Sequence, residues 1–297
     1  MRKKFSIILV VLLVLLLWQI CLPKNPFSVK EVFFHVEKGQ GSKAIALNLE
    51  NQGLIWWGPL FQAYVLVIGA SGDLQAGTYQ FSPSMNILTI AGKFTSGDIA
   101  KARITIPEGF TSKQIHEKLK NVTRSDSVTL EKYEGYLFPD TYEISYGLEL
   151  EKIIGIMTDN FNKKTATLKI TPEVVIMASL LEKEVQTKED KEIVSGIFWK
   201  RIKSGKPLES CATIAYIKGV SQWRYSYEDT RIESPYNTYL NLGLPSGPIG
   251  NPGLESIEAA IYPQDSDYWY YLSTPEGETI FSKTLEEHNY AKSKYLQ

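Results

Sequence analysis

At 297 residues, 43% hydrophobic and 22% charged, the chain has the composition of an ordinary globular protein, with room for an anchor followed by two lobes. Its net charge of -1, with Lys and Arg spread along the sequence, excludes the electrostatic footprint of a nucleic-acid binder, and no nucleic-acid partner is expected. Two cysteines, Cys21 and Cys211, are too few for a disulfide framework.

Arg2, Lys3 and Lys4 precede an apolar run from Phe5 to Leu22 broken only by Ser6 and Gln19, which suits one membrane span. A cleaved signal peptide would need a small-x-small site, and none follows; Ile20 before Cys21 also makes a poor lipoprotein site. The basic end is expected to stay cytoplasmic. Everything after Pro23 then lies outside the cytoplasmic membrane, on a single-pass anchor.

Val32, Phe34 and Val36 alternate as in a strand, a Gly-rich turn follows, and Ser42 is placed to cap a helix carrying Ala44, Ile45 and Leu49. A similar strand, turn and helix recurs at Ile104 to Leu119, where Thr111 and Gln114 form a capping box, and the pair suggests a small repeat-built module. Between them Pro59 to Ile68 and Asn86 to Phe94 read as helices and Gly77 to Phe81 as a strand. Periodicity fades from Asn121 to Leu130, which predicts a boundary there.

The second lobe opens on the aromatic stretch Tyr133 to Tyr142, interrupted by Gly135 and Pro139 and carrying Glu134 and Asp140, so it is no regular helix. Helices are predicted over Glu149 to Lys163, over Pro172 to Glu184 behind Thr171, and over Lys188 to Lys203 behind Thr187. Another begins after Asn251-Pro252-Gly253 and runs to Ile261. Tyr268 to Leu272 and Thr279 to Phe281 form a hairpin, and Thr284 with Glu287 caps a terminal helix. The predicted fold is α+β: an N-terminal transmembrane helix, a small α+β lobe, and a mainly helical lobe with a β-hairpin, divided as 1–23, 24–123 and 124–297.

His35, His116 and His288 are scattered and belong to no metal motif, and no serine-hydrolase elbow, Walker loop or dinucleotide fingerprint is present. Neither metal nor cofactor is expected, which leaves carboxylate chemistry. Glu184 follows Met177 by seven residues, Leu180 by four and Leu181 by three, so helical spacing sets it on an apolar stripe, with Glu182 toward the flank. Desolvation and the negative end of a helix dipole both favour a protonated carboxyl at such a place, which suits a general acid. A structural cap or ion pair at the helix end is the other reading of the same residue. Ser234 to Tyr239, Gly243 to Ile249 and Asn251 to Gly253 make a long rigidified loop, in which Asn237 and Tyr239 would suit a saccharide. A proline-rich crossing over the core is the alternative for that loop.

The blocks Tyr133 to Tyr142, Ala178 to Glu184, Ser234 to Tyr239 with Gly243-Leu244-Pro245 and Pro248-Ile249, and Phe281 to Asn289 resemble, in order and spacing, those of the YceG-like family. The resemblance implies a LysM-like first lobe and a peptidoglycan-cleaving second lobe with the family's catalytic glutamate at Glu184. Substrate contacts are expected at Glu134, Tyr136, Asp140, Glu182, Asn237 and Tyr239. The implied reaction is endolytic cleavage of glycan strands to leave 1,6-anhydro ends, with cell-wall synthases as partners. One departure is Ser210-Cys211-Ala212-Thr213, where many members carry Ser-Asp-Pro-Thr, so a carboxylate at 211 is not needed here. Two alternatives remain: a glycan hydrolase pairing Glu184 with Asp140 or Glu182, and a non-catalytic wall-binding scaffold.

Overall fold

The computed structural model describes residues 18–124, 129–220 and 225–296, together with 14, 16 and 222. Most of the run from Phe5 to Leu22 lies outside the described residues, and among those described no helix is long and apolar enough to cross a membrane. The protein is α+β, built of helices and three two-stranded sheets, and it divides into two compact units.

Unit 1 comprises residues 1–103, 122–124 and 143–148. Its first strand, β1 (Val32–Val36), pairs antiparallel with β2 (Gly77–Phe81), Phe34 facing Tyr79 in the register. Between them come α1 (Ser42–Asn51) and α2 (Gly58–Val67), and after them α3 (Ile87–Ser96). Ser42 was expected to cap α1, but Gly41 holds that position and no side chain bonds there, so Ser42 is the first helical residue. Alternation on the strands turns Phe34, Val36, Tyr79 and Phe81 inward against Ile45, Leu49, Phe61, Val65 and Phe94. Phe94 meets Tyr79 edge-on at 4.6 Å and Phe34 at 5.8 Å. The buried Tyr79 hydroxyl donates to the Gln75 carbonyl at 2.7 Å, so no polar atom is left stranded in this aromatic cluster.

A second sheet pairs β3 (Lys101–Thr105) with β4 (Thr141–Ser145). Strand β4 is absent from the sequence expectations.

Unit 2 comprises residues 104–121, 125–142 and 149–297, so it takes in the second strand-turn-helix segment, which the sequence groups with the first lobe. Its helices are α4 (Ser112–Leu119), α5 (Leu150–Lys164), α6 (Pro172–Glu184), α7 (Lys188–Lys203), α8 (Cys211–Lys218), α9 (Leu254–Ile261) and α10 (Leu285–Tyr295). Thr111, Thr171, Thr187 and Thr284 each accept a backbone N–H of the first turn, which starts α4, α6, α7 and α10 where the capping pattern predicts. The hairpin β5 (Tyr270–Ser273) and β6 (Thr279–Ser282) is antiparallel, closed by a turn in which Gly277 takes a φ of 89°.

Helix α6 is the centre of unit 2. Val175, Met177, Ala178, Ser179, Leu180 and Leu181 are all buried, around its full circumference, among Phe161, Val194, Phe198, Ile249 and Ile257. Close approach of a loop to α7 depends on Gly196, where a Cβ would stand 2.0 Å from the Gln264 carbonyl oxygen. Gly196→Ala is expected to destabilise the protein by about 2 kcal/mol through this overpacking, measured as a lower urea midpoint of unfolding.

Candidate functional site

The last turn of α6 carries two glutamates with different surroundings. The Glu182 side chain is 8% exposed and forms an ion pair with the buried Lys191 of α7 at 3.4 Å. Its other oxygen accepts from Gly253 N at 2.9 Å and Ser256 Oγ at 2.7 Å, at the N-terminus of α9. Glu182 thus ties three helices together. The sequence sets it on the flank of α6 as a substrate contact; the structure turns it inward and occupies both of its oxygens with protein groups.

Glu184, two residues on, points to a separate cluster. Its Oε1 accepts from the Ser210 hydroxyl and from Ala212 N at 3.3 Å, so the carboxylate sits on the first turn of α8. The sequence shows only the negative end of its own helix at this point. The structure adds the N-terminus of another, whose Ser210 and Ala212 donors fix where the side chain sits. Ser273 Oγ donates to the Glu184 carbonyl at 3.0 Å, capping the end of α6 from the hairpin. On the same strand, the Tyr271 phenol is pushed well above its usual range by burial, by the charge of Glu184 and by a hydrogen bond with it.

A backbone under tension aims Ser210. Glu209 is the one non-glycine residue with a left-handed backbone among those described, at φ 53°. It is held by its N–H to the Thr238 carbonyl at 3.1 Å, while Ser210 N donates to Thr238 Oγ1 at 3.0 Å. Arg201 of α7 grips the segment before it, donating to the Leu208 carbonyl at 3.0 Å and the Pro207 carbonyl at 3.2 Å. The same guanidinium donates to the Trp269 carbonyl at 3.1 Å and lies 5.1 Å from the Tyr270 ring, so one buried cation positions both Ser210 and the strand bearing Tyr271.

The remaining expected site residues fall into two groups. Tyr239 is brought to Glu184: its hydroxyl is 3.0 Å from Cys211 Sγ, and burial, then Cys211, then the Glu184 charge push the phenol up. Asn237 is 0% exposed, donating to the Thr230 and Ile232 carbonyls and accepting from Tyr239 N at 2.9 Å. It is a buried organiser of the loop that carries Tyr239, with no group left for a ligand.

Glu134 is also buried, accepting from Ser112 N at 3.0 Å, Ser112 Oγ at 2.9 Å and Asn251 Nδ2 at 2.9 Å. Burial raises its carboxyl above the usual range against the pull of these donors. Tyr136 packs edge-on against Phe161 at 5.3 Å on the rim of the core. Asp140 accepts from Asn160 at 3.0 Å and from Thr141 N at 2.8 Å and pairs with Lys164 at 3.6 Å; the Asn160 bond is the main reason its carboxyl lies below the usual range. None of these partners is shared with Glu184. Sequence reasoning missed Ser210, Arg201, Tyr271 and Ser273, and only the unusual Ser210-Cys211-Ala212-Thr213 block drew attention near any of them.

The description of the YceG-like family matches residues 34–294. This chain belongs to that family. A Bacillus subtilis (strain 168) protein named endolytic murein transglycosylase is 36% identical over 315 residues, which cover 92% of this chain and 87% of that one. A protein of the same name from Streptococcus pneumoniae serotype 2 (strain D39) is 29% identical, the match covering 90% of this chain and 59% of its own length. The crystal structure of a YceG-like protein from Listeria monocytogenes superposes with a TM-score of 0.55 at 31% identity, over 89% of this chain and 99% of that one.

Within this YceG-like site, the two kinds of residue separate by measurement. Glu182→Gln leaves the Lys191 ammonium buried without its counter-charge and is expected to cost about 3 kcal/mol of stability, seen as a lower urea midpoint. Asn237→Ala strands two carbonyls and the Tyr239 N–H, with an expected loss of about 2 kcal/mol, seen as a lower thermal midpoint at constant pH.

Proposed function

We propose that this chain is an endolytic murein transglycosylase that cleaves between N-acetylmuramic acid and N-acetylglucosamine in peptidoglycan, with Glu184 as its acid and base. The observation that carries this reading is the Glu184 carboxylate itself. It is held at one oxygen by Ser210 and Ala212, and among the described residues no second carboxylate shares these partners. A glycosidase of the paired type needs two acids at a set separation. The oxygens of Asp140 and Glu182 are engaged elsewhere, which weighs against a two-carboxylate hydrolase.

In the protonated state Glu184 gives its proton to the glycosidic oxygen as the bond from that oxygen to the muramic acid anomeric carbon breaks. The acetamido group of the sugar shares the positive charge that develops. The sugar's own 6-hydroxyl then bonds to the anomeric carbon and loses its proton to Glu184, which regenerates the acid and leaves a 1,6-anhydro end. The raised phenols of Tyr239 and Tyr271 stay protonated through the cycle and remain hydrogen-bond donors. General acid and base work of this kind is worth about 10²–10⁴ in rate, with the balance from holding the sugar in position.

The remaining parts of the reading concern placement. The run from Phe5 to Leu22 behind Arg2, Lys3 and Lys4 supports a single-pass anchor in the cytoplasmic membrane, with the rest of the chain on the extracytoplasmic side. The order β1-α1-α2-β2, two antiparallel strands around a helix pair, supports a LysM-like lobe within residues 24–123 and a catalytic lobe over 124–297. Nascent glycan strands are the substrate and cell-wall synthases the partners that fit this location.

Glu184→Gln keeps the volume of the side chain and removes its titrating proton. Cleavage of purified glycan strands is expected to fall at least about a hundredfold with the thermal midpoint retained. Mass spectra of wild-type products should show ends lighter by one water than hydrolytic ends. Hydrolytic ends, or normal turnover by Glu184→Gln, would overturn the proposal.

A further inference from the structure

Helix α2 in unit 1 has no charged residue: Gly58-Pro59-Leu60-Phe61-Gln62-Ala63-Tyr64-Val65-Leu66-Val67. Leu60, Phe61 and Val65 enter the unit 1 core. The opposite side is apolar as well, with Pro59, Ala63, Leu66 and Val67 exposed at the spacing of one helix face. Leu66 is 69% and Val67 85% exposed, and the face is bounded by exposed Trp56 and Trp57 at one end and Ile68 at the other. A helix apolar all round belongs in a core or against lipid. Among the described residues of unit 1, only one side of α2 packs on a core.

The chain itself indicates what covers the other side. The apolar run ends at Leu22, and its last residues are fastened to unit 1: Ile20 packs on the core, and Asn86 Nδ2 donates to the Cys21 carbonyl at 2.9 Å. Lys24, two residues beyond the run, donates to the Ile55 carbonyl at 3.3 Å and sits 5.7 Å from the Trp56 ring, at the turn that starts α2. The end of the run therefore lies beside the start of α2. Tryptophans and a lysine at that level are the side chains that favour the headgroup region. The stripe of Pro59, Ala63, Leu66 and Val67 offers no hydrogen-bonding side chain to a sugar.

We propose that α2 is an interfacial helix, lying with this stripe in the outer surface of the lipid bilayer so that unit 1 is seated on the membrane as well as tethered to it. The proposal rests on the anchor described under the proposed function. Its test uses the full chain in phosphatidylcholine and phosphatidylglycerol vesicles with brominated acyl chains, which quench tryptophans at the depth of the bromines. Co-flotation with the vesicles reports the anchor, and quenching reports the seat. The wild type should float and be quenched; Trp56→Phe/Trp57→Phe should float with quenching reduced by about half. Leu66→Asp/Val67→Asp, both exposed and able to fold, should float with a similar reduction. Floating with equal quenching in all three overturns the seat and leaves the anchor standing, and failure of the wild type to float overturns both. Unchanged quenching with a shift in sedimentation for Leu66→Asp/Val67→Asp overturns the proposal in favour of contact between copies.

Discussion

A buried polar node at Asn251 is the constraint on which unit 2 depends. Its amide donates to the Phe110 carbonyl at 2.8 Å and to Glu134 at 2.9 Å, and its oxygen accepts from Leu137 N at 2.8 Å. Its backbone pairs with Gly109 and Phe110. Two segments, at Phe110 and at Glu134 to Leu137, each more than a hundred residues earlier in the chain, meet at one side chain that is 0% exposed. Buried polar groups are costly unless every one is satisfied, so the node is stable in one arrangement and penalised in any other. That arrangement fixes the start of α9, whose N-terminus receives Glu182, and Glu182 in turn fixes the last turn of α6.

The division of labour between Glu182 and Glu184 follows from this. Successive alternate residues on a helix point about 200° apart, so locking Glu182 toward Lys191 and α9 turns Glu184 the other way, to α8 and the hairpin. The inner glutamate is bound by a cation, the outer by hydroxyl and amide donors.

The parts of this architecture set by neighbours in sequence were legible before the structure. Thr111, Thr171, Thr187 and Thr284 mark four helix starts because capping acts within three residues. The ordering of Glu182 and Glu184 by helical phase was not legible, because α6 is buried on all sides and has no single apolar stripe to measure against. Helix α8 escaped for another reason: no side chain caps it, and its start depends on the left-handed Glu209 and on Thr238, 28 residues from Ser210. Asn237 and Glu134 show a third limit. Polar side chains in aromatic, proline-rich loops look like ligand groups, yet here Asn237 bonds the backbone of its own loop and Glu134 bonds Ser112 and Asn251, and composition does not distinguish these uses.

The hairpin has a consequence for how the protein is made. Tyr271 and Ser273 complete the surroundings of Glu184, and Ser273 is synthesised 89 residues after it. Domains tend to fold as they are synthesised, from the N-terminus onward. An extending chain thus presents Glu184 with the end of α6 uncapped and one of its phenols missing. A nascent or clipped copy that stops short of the hairpin has the last turn of α6 without the groups that complete the surroundings of Glu184.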